Sequence, residues 1–138
     1  MCGILAIINK NRSASGRDLQ RACTIIRHRG PDDEGFLTWM PGEEPDIYAG
    51  EDTAASTLQH WKYDKLPLDA SFKVGLGHRR LSIVDLSPTG HQPMRLSQAG
   101  LSIVFNGEIY NYQSLRQKIH NYEWKTNSDT EVILASFF

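Results

Sequence analysis

The sequence lacks most of the features that place a chain quickly in a functional class. It has only two cysteines, Cys2 and Cys23, too few for a disulfide framework, and they form no C-x-x-C pair. Its five histidines fall at no spacing that reads as a metal-ligand set. No apolar stretch approaches the ~20 residues of a membrane-spanning helix. The short apolar run at the N-terminus has no basic segment ahead of it, so it does not read as a secretory signal. Position 2 is Cys, where a myristoylation signal needs Gly. Charge of one sign is missing as well: 15 Lys and Arg against 16 Asp and Glu leave a net charge of −1. That balance excludes a general attraction to nucleic acid or anionic membrane. Repeats and low-complexity tracts are absent too.

What remains is 138 residues with 40% hydrophobic and 22% charged side chains, one domain able to bury a core. A reducing cytoplasm is the expected location, where a reactive thiol stays reduced. The local basic groups Arg27-His28-Arg29 and Arg79-Arg80 suit one small anion better than a polyanion.

The N-terminus holds the first chemical signal. Met1-Cys2-Gly3-Ile4-Leu5-Ala6-Ile7-Ile8 places a thiol beside the initiator methionine and an apolar strand after it. Removal of Met1, which a small second residue favours, would leave thiol and free α-amine on one carbon. An α-amine ordinarily titrates near ~7.7–8.0, so it can act as base for its own side chain. From this stretch alone the plainer reading leads, a small apolar residue at a chain end.

Along the chain, residues 3–8 read as a buried strand and 9–13 as a polar loop. Over 17–28, Leu19, Ala22, Cys23 and Ile26 fall on one helical stripe that makes Cys23 a core residue. This helix stops near Gly30-Pro31, a charged turn runs to Gly35, and 36–39 form a strand. Residues 40–72 read as a surface loop insertion, turn-like and acidic at first and without periodicity over 53–60. Residues 74–85 are strand-rich and 101–105 form a strand. Asn106-Gly107 after it is a strong hairpin-turn signal. A helix covers 112–119, and Ser128-Asp129-Thr130-Glu131 has capping-box spacing for a last helix. The apolar Phe137-Phe138 closes the chain.

Several of these segments form a set: Cys2-Gly3-Ile4, Arg27-His28-Arg29-Gly30-Pro31-Asp32, Gly77-His78-Arg79-Arg80-Leu81-Ser82-Ile83-Val84-Asp85, Gln92-Pro93, Asn106-Gly107-Glu108-Ile109-Tyr110-Asn111 and Ser128-Asp129-Thr130-Glu131. Each alone is only suggestive. In this order they strongly resemble the glutaminase domain of asparagine synthetases, a class II glutamine amidotransferase. The resemblance implies an α+β fold, the N-terminal nucleophile hydrolase αββα sandwich, incomplete at its C-terminal end because the family's domain continues past position 138. Residues 1–138 would be the N-terminal portion of that domain. The synthetase domain is expected to lie outside these residues, since nothing in them matches its Ser-Gly-Gly-x-Asp-Ser loop or a Walker-type loop.

The resemblance also implies the chemistry. Cys2 would be the nucleophile and its own α-amine the base, with Asn106 and Gly107 donating to the oxyanion. Arg80 would pair with the glutamine carboxylate through its guanidinium fork and Asp129 with the ammonium. Glu108 would share the pocket, lined by the backbone of Leu81, Ser82, Ile83 and Val84. On the residues alone Arg80 reads as a solvated arginine and Asp129 as a helix-start acid. Arg29 and Asp32 read as loop-fixing groups. No metal and no cofactor is expected in this chain, ATP and Mg belonging to the synthetase domain. The expected partners are L-glutamine and an ammonia-accepting synthetase domain or subunit, without nucleic acid or membrane; a homodimer is what the family suggests. Two rivals stand beside this reading: a truncated, non-catalytic glutamine-binding or interaction module, and an N-terminal nucleophile amidase for another amide.

Overall fold

The apolar run after Cys2 forms β1 (Gly3–Ile8), and the chain turns through β2 (Ala14–Ser15) into α1 (Gly16–Ile25). This computed structural model describes residues 1–82 and 87–137. α1 starts at a reciprocal cap: Ser15 Oγ accepts from Asp18 N at 3.3 Å, and Asp18 Oδ2 accepts from Ser15 N at 3.0 Å. Both satisfy amides at the helix start. The helix ends at Ile25 rather than at 28, because Arg27–Arg29 tighten into a 3-10 turn ahead of Gly30 and Pro31.

β3 (Asp33–Trp39), β4 (Asp46–Ala49), α2 (Ala55–Trp61), β5 (Ser71–Phe72) and β6 (Val74–Arg80) follow, then β7 (Met94–Leu96), β8 (Leu101–Ile103), α3 (Tyr112–Lys118) and α4 (Asp129–Ala135). The result is an α+β fold with antiparallel sheets. One sheet has four strands in the order β1-β6-β3-β4, and β2-β5 and β7-β8 form two-stranded ribbons. In the register Leu5↔Gly77 and Phe36↔Gly77, alternate side chains face α1. There Leu19, Cys23, Phe36 and Phe72 are fully buried in one cluster with Ala14 and Leu66. Cys23 is thus core, as its helical stripe predicts. On the opposite face Leu37, Trp39, Val74 and Leu76 share a groove with Gly100 and Ser102 of the β7–β8 ribbon. α4 packs against β7 and β8, and α3 against α4. The layers run helix, sheet, ribbon, helix.

Several expectations change. β1 is not a buried strand: it lies at the edge of the four-stranded sheet, and Ile4 and Ile8 are 49% and 77% exposed. Only its α1-facing side chains find a core. The stretch 40–72, expected as a loop insertion, carries β4, α2 and β5. β4 pairs with β3, Leu37 opposite Ile47. The start of α2 is held by the buried Asp33, which accepts from Ala54 N at 2.9 Å and Thr57 Oγ1 at 3.2 Å. α2 buries only Thr57, so no amphipathic stripe announces it. The hairpin signal at Asn106-Gly107 is also not realised. β8 pairs backward with β7, α3 is the next element, and neither residue has the positive φ of a type I′ turn.

At α4 the expected reciprocal capping box does not form. Ser128 Oγ accepts from Thr130 N at 3.1 Å, but Glu131 turns away from Ser128. It accepts instead from Lys125 N at 2.9 Å, Thr126 N at 2.7 Å and Thr126 Oγ1 at 2.8 Å. A buried carboxylate takes the site with the most donors.

Candidate active site

The register of β1 with β6 sets the thiol in place. Gly3 pairs with Arg79, so Cys2 lies beside the chain just after β6. Its Sγ accepts from Leu81 N at 3.4 Å and faces Leu81 O at 3.9 Å. Arg29 Nε donates to Cys2 O at 3.3 Å, and Asp32 Oδ2 accepts from Ser82 N at 2.8 Å. The two groups of the charged turn thereby hold both strand ends around the thiol.

Arg80, the last residue of β6, is 8% exposed and donates from Nη1 to Ser87 O at 2.8 Å. Asn106, Gly107 and Glu108 follow β8 and stand exposed at the rim. Asp129 opens α4, and its Oδ2 accepts from Ile109 N at 2.9 Å. Cys2, Arg80, Leu81, Asn106, Gly107, Glu108 and Asp129 line one pocket of 290 Å³. Ser82 is not among the lining residues, and Ile83 and Val84 lie outside the described residues.

Sequence reasoning assigned no role to others that line the same pocket, notably His78, Gly90, Gln92, Phe105 and Thr130. His78 and Gln92 belong to quoted motifs, but periodicity does not say which way they point. His78 is 1% exposed. Burial first, then the neighbouring His91, push its imidazole down to about 4, so it is neutral near pH 7. Its Nε2 has no hydrogen-bond partner among the described residues. A Cβ on Gly107 would stand 2.6 Å from the Phe105 ring, so the residue after Asn106 must be small for the loop to lie as it does.

The other cysteine has a different environment. Burial pushes Cys23 up to about 11, against the opposing pull of Arg79, which keeps it an unreactive thiol. Among the described residues no group of three or more His, Cys, Asp or Glu could hold a metal ion. No described helix is long and apolar enough to cross a membrane. A thiol, a guanidinium, a carboxamide and two carboxylates in one small pocket can receive a zwitterionic head group together with a group open to nucleophilic attack.

Comparison with known proteins gives the same direction. A family model described as "Glutamine amidotransferase domain" matches residues 48–138. A Methanocaldococcus jannaschii protein named for asparagine synthetase (glutamine-hydrolyzing) is 36% identical over 151 aligned residues, covering 99% of this chain and 24% of that protein. Asparagine synthetase (glutamine-hydrolyzing) 1 of Bacillus subtilis is 48% identical over 66 residues, 46% of this chain and 10% of its own. Amidase chry2 of Gibberella zeae is 30% identical over 99% of this chain and 18% of its own length. The chain spans a quarter or less of each relative, 24% at most. By the match over 48–138, and by the extent of these similarities, the chain belongs to the glutamine amidotransferase domain family.

Proposed function

We propose that this chain hydrolyses glutamine to glutamate and ammonia through a thioester on Cys2, in an αββα sandwich of the N-terminal nucleophile hydrolase type. The observation that carries the reading is convergence. Cys2, Arg80, Asn106–Gly107 and Asp129 come from four distant parts of the chain and line one pocket. The helix, sheet, ribbon, helix order supports the sandwich.

The mechanism follows from the groups present. Met1 is 80% exposed and accessible for removal, which frees the α-amine of Cys2. That amine takes the thiol proton as sulfur attacks the side-chain amide carbon. The C=O π electrons move to oxygen, where the Asn106 side-chain amide and the Gly107 backbone N–H donate to the oxyanion. Collapse breaks the C–N bond, and the ammonium returns its proton to the leaving ammonia. Water then attacks the thioester by the same steps in reverse order, releasing glutamate and the thiol. Arg80 takes the α-carboxylate by a bidentate pair, and Asp129 with Glu108 takes the α-ammonium. An amide lacking that head group loses these charge-assisted bonds, which selects glutamine over the unrelated amides an amidase would take. Within a longer protein the ammonia would pass to a synthetase domain or subunit that forms asparagine from aspartate and ATP.

Intact mass after exposure to 6-diazo-5-oxo-norleucine, paired with an ammonia-release assay on L-glutamine, tests the reading. The expected result is loss of Met1, one adduct mapped to Cys2, and no ammonia from Cys2→Ala. Folded protein that takes no adduct and releases no ammonia would leave a non-catalytic module.

A further inference from the structure

Gln92 is 7% exposed, and the mechanism above does not use it. Its side chain spans two elements: Oε1 accepts from Phe105 N at 2.6 Å, and Nε2 donates to Thr130 Oγ1 at 3.2 Å. The backbone N–H of Phe105 can only donate, which fixes the orientation of the Gln92 amide. Phe105 immediately precedes Asn106-Gly107, and Thr130 immediately follows Asp129. Ile109 N, at the other end of the same loop, donates to Asp129 Oδ2 at 2.9 Å. The contacts close a ring that runs from Gln92 to Phe105, along residues 106–108 to Ile109, across to Asp129, through Thr130 and back to Gln92. The exposed arc of that ring is Asn106-Gly107-Glu108.

The ring is anchored from behind. His91 Nδ1 lies 2.8 Å from Asp33 Oδ2, with both side chains buried, and this ties the residue before Gln92 to β3. Asp33 is held below the usual carboxylate range: burial opposes this, but the His91 bond and charge, Ala54 N and Thr57 outweigh it.

We infer that Gln92 is a positioning residue that sets the oxyanion donors Asn106 and Gly107 in register with the head-group carboxylate Asp129. The inference rests on the glutaminase reading and adds to it the side chain that coordinates its two halves. The arm to Phe105 governs the oxyanion donors and therefore kcat. The arm to Thr130 governs Asp129 and therefore KM. A purely structural glutamine would change the folded fraction and leave KM where it was.

Steady-state ammonia release from the full chain separates these roles. Gln92→Leu is expected to lower kcat by roughly 10- to 100-fold, below or at the cost of deleting one oxyanion donor, and to raise KM several-fold. Thr130→Val, the milder change, keeps the Phe105 arm and should raise KM with kcat within about twofold of wild type, since head-group binding is weakened equally in the ground state and the transition state. Amide hydrogen exchange at Phe105 is the second measurement: protection should fall in Gln92→Leu and hold in Thr130→Val. Folded Gln92→Leu with wild-type kcat and KM, or unchanged Phe105 protection, overturns the inference alone. A wild-type chain that neither binds nor hydrolyses glutamine overturns the glutaminase reading, and this inference with it.

Discussion

Gly90 lies directly against the guanidinium of Arg80: a Cβ built on Gly90 would stand 2.3 Å from Arg80 Nη2 and 2.7 Å from Cζ. The guanidinium is the far end of a flexible side chain, so it would move rather than break the fold. Gly90→Ala is therefore expected to displace Arg80 with little loss of stability. Hydrogen bonds to charged groups are worth ~1.5–3 kcal/mol, so KM for glutamine should rise about 10- to 100-fold while kcat changes little. Steady-state kinetics checks this, and an unchanged KM would separate Arg80 from substrate binding.

The two thiols should differ sharply in reactivity. Cys2 is half-buried at the pocket, whereas Cys23 is fully buried and pushed up to about 11. Alkylation of native protein followed by intact mass is expected to show one fast adduct, absent from Cys2→Ser. Cys23 should react only in denaturant. Comparable labelling of Cys23 in the native state would contradict the packing of α1 on the sheet.

His78 predicts an acid-side loss of stability. Its folded-state pKa is depressed from 6.5 to about 4, so between those values the unfolded chain binds more protons than the folded one. The His78 contribution is complete above ~6.5 and is lost as pH falls toward ~4, on the order of 3 kcal/mol in total. His91, Arg80 and Asp33 are the charged or titratable groups acting on it. Urea midpoints of wild type and His78→Gln should diverge at pH 7 and converge near pH 4. A constant difference across that range would remove His78 from the acid response.

Glu34 and Arg79 face each other on adjacent strands, with Oε2 and Nη2 2.8 Å apart and both side chains 2% exposed. They form an ion pair out of hydrogen-bond alignment; Arg79 Nη1 also reaches Asp52 Oδ2 at 2.7 Å, and Glu34 Oε1 accepts from Asp52 N at 2.7 Å. Removing one buried partner strands the other, so Arg79→Met is expected to cost ~3–5 kcal/mol. The double variant Arg79→Met with Glu34→Gln should recover part of that loss. Denaturant unfolding measures both, and additive losses would show that the two side chains are not coupled.

Much of this protein is legible along the chain. The stripe of Leu19 and Cys23 declares α1, the apolar runs declare β1 and β8, and Ser128 declares the start of α4. The motif around Cys2, Arg80, Asn106 and Asp129 is legible by resemblance. Composition and spacing alone leave each of those residues a bland alternative.

The rest depends on partners far apart in sequence. α2 is held by Asp33 of β3, which periodicity over 53–60 cannot register. Glu131 has the spacing of a capping box, but the donors of Thr126 and Lys125 outnumber the one it would meet at Ser128. Asn106-Gly107 has the chemistry of a hairpin turn, yet a hairpin also needs a following strand, and among the described residues none pairs there. Gln92 is legible as part of the Gln92-Pro93 motif, but with no role until the fold brings Phe105 and Thr130 to its two ends. The sequence by itself determined most of the local elements, because side-chain periodicity and residue chemistry act over a few residues, and it named the candidate site residues through resemblance. Tertiary structure alone decided which face of β1 is covered, which donors each buried carboxylate and amide takes, and how the pocket is framed. Buried polar groups must be paired, and their partners are chosen by sheet register and layer packing rather than by proximity along the chain.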